Sequence, residues 1–404
     1  FGRVVLATVT LAVAVALACN AVGLTAALRA GAHAARSSDE GECAKLSAAV
    51  AAAPVPAFSD GSTGPPPDIS NADLAAALAR PRPGHCYFAA NQSTLPPYYR
   101  SNIYHQSEFV WPMVETAMES LAPPSHVLWT SRMMEWSASI FSLLLPNTTL
   151  VAPRAAIESM RCREELCPNG RRVPFRAVGP TGGKRGYFAH ALTAPRVRSL
   201  VMRACGLPEP RVVEQLVLVH LERHVAPSRN TSTRSGRRQM MDRDEVHAAM
   251  RAAAPDAELV IRTSPAGGSV CEQVRWLHGV GVVLTPHGSQ LNNFVFAPPG
   301  LLLLEVLPWG LMGYPGHRAM LRYSGIRHVQ LGSMRPPQHE SGPFSNVSAE
   351  RDCTARSGCL GWHRDRANIY VNASELAEVL RRELPAVRAA ARAAMQARTA
   401  GAAA

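Results

Sequence analysis

The residues best placed to do chemistry begin at His287. The run Val280-Gly281-Val282-Val283-Leu284 is uncharged, closes on Pro286, and gives way to His287-Gly288-Ser289-Gln290. A buried strand that turns sharply into a helix exposes backbone N–H groups at its carboxyl end, where parallel α/β sheets bind ligands. Those N–H groups, together with the dipole of a helix starting near Gln290, attract phosphate. The turn therefore predicts an anion site lined by His287, Gly288, Ser289 and Gln290, with the imidazole donating to a pyrophosphate oxygen. A purely structural reading also fits, because such a turn needs a glycine and a cap, and Ser289 can serve as one.

Other chemical spacings fail on inspection. Asp242-Arg243-Asp244 has the form of a cation-holding acidic pair, but it opens a helix, with Asp242 and Glu245 spaced as a capping box, rather than ending an apolar strand. No metal ligands are expected. His363-Arg364-Asp365 lacks the remaining parts of a kinase catalytic loop, and Gly182-Gly183-Lys184-Arg185 lacks those of a phosphate loop. His220 and His224 fall at a strand end, where four-residue spacing does not bring two imidazoles together as it does on a helix.

The elements that must position these groups alternate in type. His126 to Trp129, Leu216 to Val219, Leu259 to Ile261, Val280 to Leu284 and Gly300 to Leu307 read as buried strands, and Asp242 to Ala253 as a helix. Alternation implies parallel sheets covered by helices. The expected class is α/β, with two Rossmann-like domains facing a cleft: residues 81–205, then a nucleotide-binding half over 206–330. Residues 331–385 would pack back on both, and the Ala/Arg-rich stretch 386–404 reads as a flexible tail.

Upstream, residues 29–80 are rich in Ala, Pro, Ser and Gly and read as a low-complexity stem. Val4 to Leu28 carries no formal charge and is long enough to cross a hydrocarbon core of about 30 Å, so it reads as a transmembrane signal-anchor, with a cleaved signal peptide as the alternative. Asn91, Asn147, Asn230, Asn346 and Asn372 each head an N-x-[ST] triplet without proline. Cys43, Cys86, Cys162, Cys167, Cys205, Cys271, Cys353 and Cys359 form an even set compatible with disulfides, of which Cys162–Cys167 and Cys353–Cys359 could close local loops. Both features point to the lumen of the secretory pathway. The net charge of +12 comes almost wholly from arginine and is not interleaved with aromatics, so no nucleic-acid partner is expected.

His287-Gly288, Phe296-Ala297-Pro298-Pro299-Gly300 and Glu305 together resemble the signature of glycosyltransferase family 61. Many members carry H-G-A-G-L; the His287-Gly288-Ser289-Gln290-Leu291 of this chain is similar to members that extend O-mannosyl glycans. Asn102-Ile103-Tyr104-His105, followed by Glu108, resembles an N-terminal motif of the family. Leu216 to Arg223 resembles its strand ending in arginine, Arg237-Arg238 its basic pair, and Cys353 to Leu380 its final cysteine pair, strand and helix. The resemblance implies a GT-B-like fold and an inverting transfer, without metal or other cofactor, of N-acetylglucosamine or a pentose such as xylose from a UDP-sugar to a glycan or glycoprotein.

Such a transfer has three tasks: hold the departing diphosphate, hold the nucleoside and deprotonate the acceptor hydroxyl. Arg223 and the His287 turn are the expected diphosphate clamp. Glu305 is expected to accept the ribose hydroxyls. Glu108 is expected to be the base, and His105, three residues earlier, would share its helix face and orient it. The implied setting is the Golgi or endoplasmic reticulum membrane, single-pass type II, with the membrane as a partner through the N-terminal helix. The rival class is a lumenal glycan- or nucleotide-binding protein of the same fold without activity.

Overall fold

A computed structural model describes residues 70–80, 82–88, 103–121, 123–129, 133–151, 171–172, 188, 190–223, 238–263, 269–314, 317–318, 321 and 323–403. The apolar segment Val4 to Leu28, Cys162–Cys167, Asn91 and Asn230 lie outside them. Among the described residues no helix is long and apolar enough to cross a membrane.

Two parallel sheets carry the architecture. The first contains β1 (Arg82–Phe88), β2 (Pro124–Leu128), β3 (Thr149–Val151) and β4 (Arg171–Arg172), in the order β3-β2-β1-β4. The second contains β5 (Val212–Glu222), β6 (Glu258–Thr263), β7 (Gly279–Pro286), β8 (Leu302–Leu307) and β9 (Arg327–Gly332), in the order β6-β5-β7-β8-β9. In the second sheet the chain leaves β5 toward β6 and returns on its other side as β7. That reversal leaves a crevice at the carboxyl ends of β5 and β7, the place where open α/β sheets take ligands.

Helices α1 (Asn71–Leu78), α2 (Ile103–Ser120), α3 (Glu135–Leu144), α4 (Thr193–Ala204), α5 (Arg243–Ala253), α6 (Val270–Val274), α7 (Glu350–Ala355), α8 (Cys359–Arg366) and α9 (Ala373–Ala403) cover the sheets. One apolar core runs from Leu74 and Trp111 through Val283 and Leu303 to Val387 and Ala391, joining both halves. Every side chain of β8 is buried, which is why Leu302 to Leu307 reads as a run and not as an alternation.

Three expectations need correction. The stem does not extend to residue 80, because Leu74 and Leu78 of α1 are buried in the core. Residues 386–403 continue α9 through Pro385; Val387 and Ala391 are buried, and Gly300 brings Ala390 so close that a Cβ there would lie 2.5 Å from it. Ala and Arg suffice for this helix because small residues allow close packing. Asp242 adopts φ 54° and its side chain caps nothing, so the expected capping box does not form. A box does form at Ser269 and Glu272.

Disulfides join Cys353 to Cys359 and Cys205 to Cys271. The second pair, not anticipated, ties the end of α4 to the start of α6.

Candidate anion and histidine site at the end of β5 and β7

The two halves meet through the start of α2 and the segment after His287. Ser107 donates to Asn292 at 3.4 Å and Trp136 Nε1 to Asn293 at 2.8 Å, while the Trp111 ring stacks edge-on to Phe296 and Trp136. Arg198, buried, donates to the carbonyls of Ala297 and Ser324 and so fixes the Phe296–Gly300 turn. These contacts set the first turns of α2, which carry His105 and Glu108, against the segment that follows the His287 turn.

The turn itself is braced from within. The helix expected near Gln290 is a 3-10 helix over Ser289–Phe296, and Ser289 is its first residue and not its cap. Gln290 folds back to donate to the Pro286 carbonyl at 2.6 Å. A Cβ on Gly288 would lie 2.2 Å from the Gln290 amide oxygen, so a side chain there would displace the Gln290 amide from this position. Gln290 thus shapes the turn from its buried position.

Beside the turn stand cationic groups. Arg223 follows the last residue of β5, and Arg238 donates to the His287 carbonyl at 3.2 Å from a backbone at φ 71°, left-handed strain at a non-glycine residue. Burial, then Arg223, then Arg364 push the Arg238 guanidinium down to about 9, with Asp365 opposing them. It remains protonated at neutral pH. Burial likewise lowers Arg223, against the attraction of Asp365. Arg238 Nε is buried without a partner among the described residues. Among the described residues Arg364 pairs Asp365 at 3.0 Å, so Arg223 and Arg238 share that carboxylate with a third guanidinium, a local positive charge that an anion would relieve.

On the other side of the turn lies Glu305, with no exposed surface. Its Oε1 accepts from His287 Nδ1 at 2.6 Å and His317 Nδ1 at 2.7 Å, and its Oε2 from His328 Nε2 at 2.9 Å and Gln330 at 3.0 Å. Burial pushes the carboxyl up, but the charge of His317 and the hydrogen bonds from His287, His317 and His328 together hold it well below the usual carboxylate range. For His287 burial dominates, outweighing the Glu305 hydrogen bond, and lowers the imidazole to about 4.

Two expected roles change in consequence. Glu305 lies within β8, not at its end, and both its oxygens are engaged by buried protein donors, so no surface is left for a ribose. The His287 ring is neutral with Nδ1 committed to Glu305, so it adds no charge against a diphosphate. The positive charge beside the turn belongs to Arg223 and Arg238.

His287, Glu305 and His317 present ligand-type atoms within 4.8 Å of one another. Their separations of 2.6 and 2.7 Å are those of N–H···O⁻ hydrogen bonds. Ligands around zinc, each about 2.0–2.2 Å from it, would stand roughly 3.3 Å apart in a tetrahedron. A dication here would also face Arg238. Cys353, Cys359 and His363 form a similar group, but their sulfurs are joined in the disulfide.

His105 Nδ1 lies 3.0 Å from Glu108 Oε2 on α2, as the three-residue spacing requires; the side chains are 18% and 2% exposed. A separate cavity of about 480 Å³, lined by Arg262, Thr263, Glu272, Arg275 and Trp276, shares no residue with this cluster. Arg238, Arg364, His317, His328 and Gln330 were not singled out from sequence as site residues. Only Arg238 had a signal, the Arg237-Arg238 pair.

The family model described as Glycosyltransferase 61 matches residues 78–304. A protein of Oryza sativa subsp. japonica named as a beta-1,2-xylosyltransferase is similar over 99 residues at 28% identity; the match covers 22% of this chain and 17% of that protein.

Proposed function

Because the chain belongs to glycosyltransferase family 61, we propose that it transfers a sugar, N-acetylglucosamine or a pentose such as xylose, from a UDP-sugar to a glycan or glycoprotein, with inversion and without metal. The observation that carries this reading is the partly buried positive charge gathered at the β5/β7 crevice, where Arg238 Nε meets no partner among the described residues and Arg223 and Arg364 repel its guanidinium. A diphosphate supplies the missing counter-charge. Guanidinium groups bind such oxygens in forked geometry and can take the place of a cation as the leaving group departs.

Glu108, across the seam, is the proposed base, held by His105; a GT-B-like pairing of the two sheets would bring acceptor and donor to that seam. The name of the rice relative favours a pentose. Exposed Asn147, Asn346 and Asn372 and the Cys205–Cys271 and Cys353–Cys359 disulfides favour the secretory lumen, Golgi or endoplasmic reticulum, with Val4 to Leu28 as the anchor. UDP release from a panel of UDP-sugars, with glycan and glycopeptide acceptors present, tests the reading. Acceptor-dependent release is expected. Tight UDP binding with no release from any donor would instead support the inactive binding protein.

A further inference from the structure

Glu305 occupies the middle of the second sheet, paired in register with Thr285 on β7 and Gln330 on β9. An ionised carboxylate can only accept, so every imidazole nitrogen that faces it must carry a proton. For His287 that nitrogen is Nδ1, and in the neutral ring Nε2 is then a lone pair. The ring cannot readily turn over. Its backbone is held by the bond from His287 N to Val306 O and by Arg238 on its own carbonyl, and the ring packs against Tyr314, edge-on at 5.5 Å, and His317, tilted at 4.7 Å between centroids. Among the described residues no protein atom bonds to Nε2, and 9% of the side chain is exposed.

We propose that His287 is a fixed hydrogen-bond acceptor for a hydroxyl of the donor, set in the Nδ1–H tautomer by Glu305, which His317, His328 and Gln330 hold in place as positioning residues. A fully ionised diphosphate offers no proton, so an imidazole lone pair would repel its oxygens. The groups in a nucleotide sugar that lie beside the diphosphate and can donate are the hydroxyls of the ribose and of the transferred sugar. His287 would thus select a hydroxylated ligand while the adjacent arginines take its charge. A site that hydrogen-bonds a ligand hydroxyl discriminates strongly against analogues lacking it. This role rests on the nucleotide-sugar reading.

The test begins with the unaltered full chain labelled with ¹⁵N-histidine. Two-bond ¹⁵N–¹H spectra distinguish the two neutral tautomers and the imidazolium, and the His287 signals are those missing from His287→Ala. The Nδ1–H form is expected from pH 6 to 8, with mixed tautomers in Gln330→Leu and His328→Phe. Calorimetry then compares UDP, 2′-deoxy-UDP and UDP-sugars. His287→Ala should lose roughly ten-fold in affinity for the ligand that supplies the hydroxyl and little for the one that lacks it. A difference between UDP and 2′-deoxy-UDP identifies the ribose; one between UDP and UDP-sugar identifies the sugar. An Nε2–H or cationic His287 at pH 7, nitrogen shifts of a bound metal, or equal losses for all ligands, pyrophosphate included, would overturn the proposal. Absence of UDP binding to the unaltered chain would remove the nucleotide-sugar reading and the hydroxyl role with it, even if the Nδ1–H tautomer is seen.

Discussion

Two buried polar groups flank the His287 turn, and they are completed differently. Around Glu305, one carboxylate meets three imidazoles and an amide, and all its accepting capacity is used inside the protein. Around Arg238, like charges are gathered, no described residue partners one guanidinium nitrogen, and the backbone is strained. The closed network supports the turn. The open one leaves a task for a ligand, and proteins accept such local cost where function needs it. Separating the two is the way to test the comparison.

The largest expected effect lies on the residue assigned to chemistry across the seam. Glu108→Gln should lower turnover by about 100-fold or more, the usual cost of losing a general base, while UDP affinity and Tm hold. Turnover within a few-fold of the unaltered chain would make Glu108 a structural carboxylate.

Next comes the closed network. Glu305→Ala leaves buried donors without their acceptor and should destabilise the fold by about 3 kcal/mol or more, seen as a large drop in Tm. A small drop would mean that the network is not closed.

The open network predicts the reverse. Arg238→Met removes a repelled charge of similar length, so Tm should hold or rise, while UDP affinity falls about ten-fold. A fall in Tm with unchanged UDP affinity would reverse the roles of the two groups.

Acid sharpens the contrast at smaller scale. His287 and His220 are both pushed down to about 4, chiefly by burial, from an ordinary value of 6.5. Between those limits the unfolded chain takes up protons that the native fold refuses. This contribution to stability is therefore fully present above pH 6.5 and declines as pH falls toward 4. Tm measured from pH 7.5 to 5 should decrease, and a flat profile would contradict the neutral, buried state of these rings. The smallest expected effect is none at all, since transfer should persist in EDTA; a loss restored by manganese would replace the arginine clamp with a metal.

Much of this was legible in the sequence, for physical reasons that also mark its limit. The strands β7 and β8 are buried on both faces and show themselves as apolar runs, and the His287-Gly288 turn between them is marked by its local sequence. His105 and Glu108 meet because three-residue spacing on a helix brings them together. β9, with the sequence RHVQLG, has no such run. His328 and Gln330 share a face there only because strand periodicity is two, and their partner Glu305 lies on a neighbouring strand. Arg238 is brought to His287 by tertiary structure across 49 positions of sequence. Local patterns do not encode such meetings, so Glu305 read as a free ligand-binding carboxylate when it is the centre of a closed network.

The central claim is that the arginine side of the turn binds the diphosphate of a nucleotide sugar. Calorimetric titration of the full chain with UDP and with uridine, repeated on Arg223→Ala, tests it most directly. The account predicts that UDP binds, that uridine binds at least about ten-fold more weakly, and that Arg223→Ala removes most of the difference. Equal affinity for UDP and uridine, or a difference unchanged in Arg223→Ala, would contradict it.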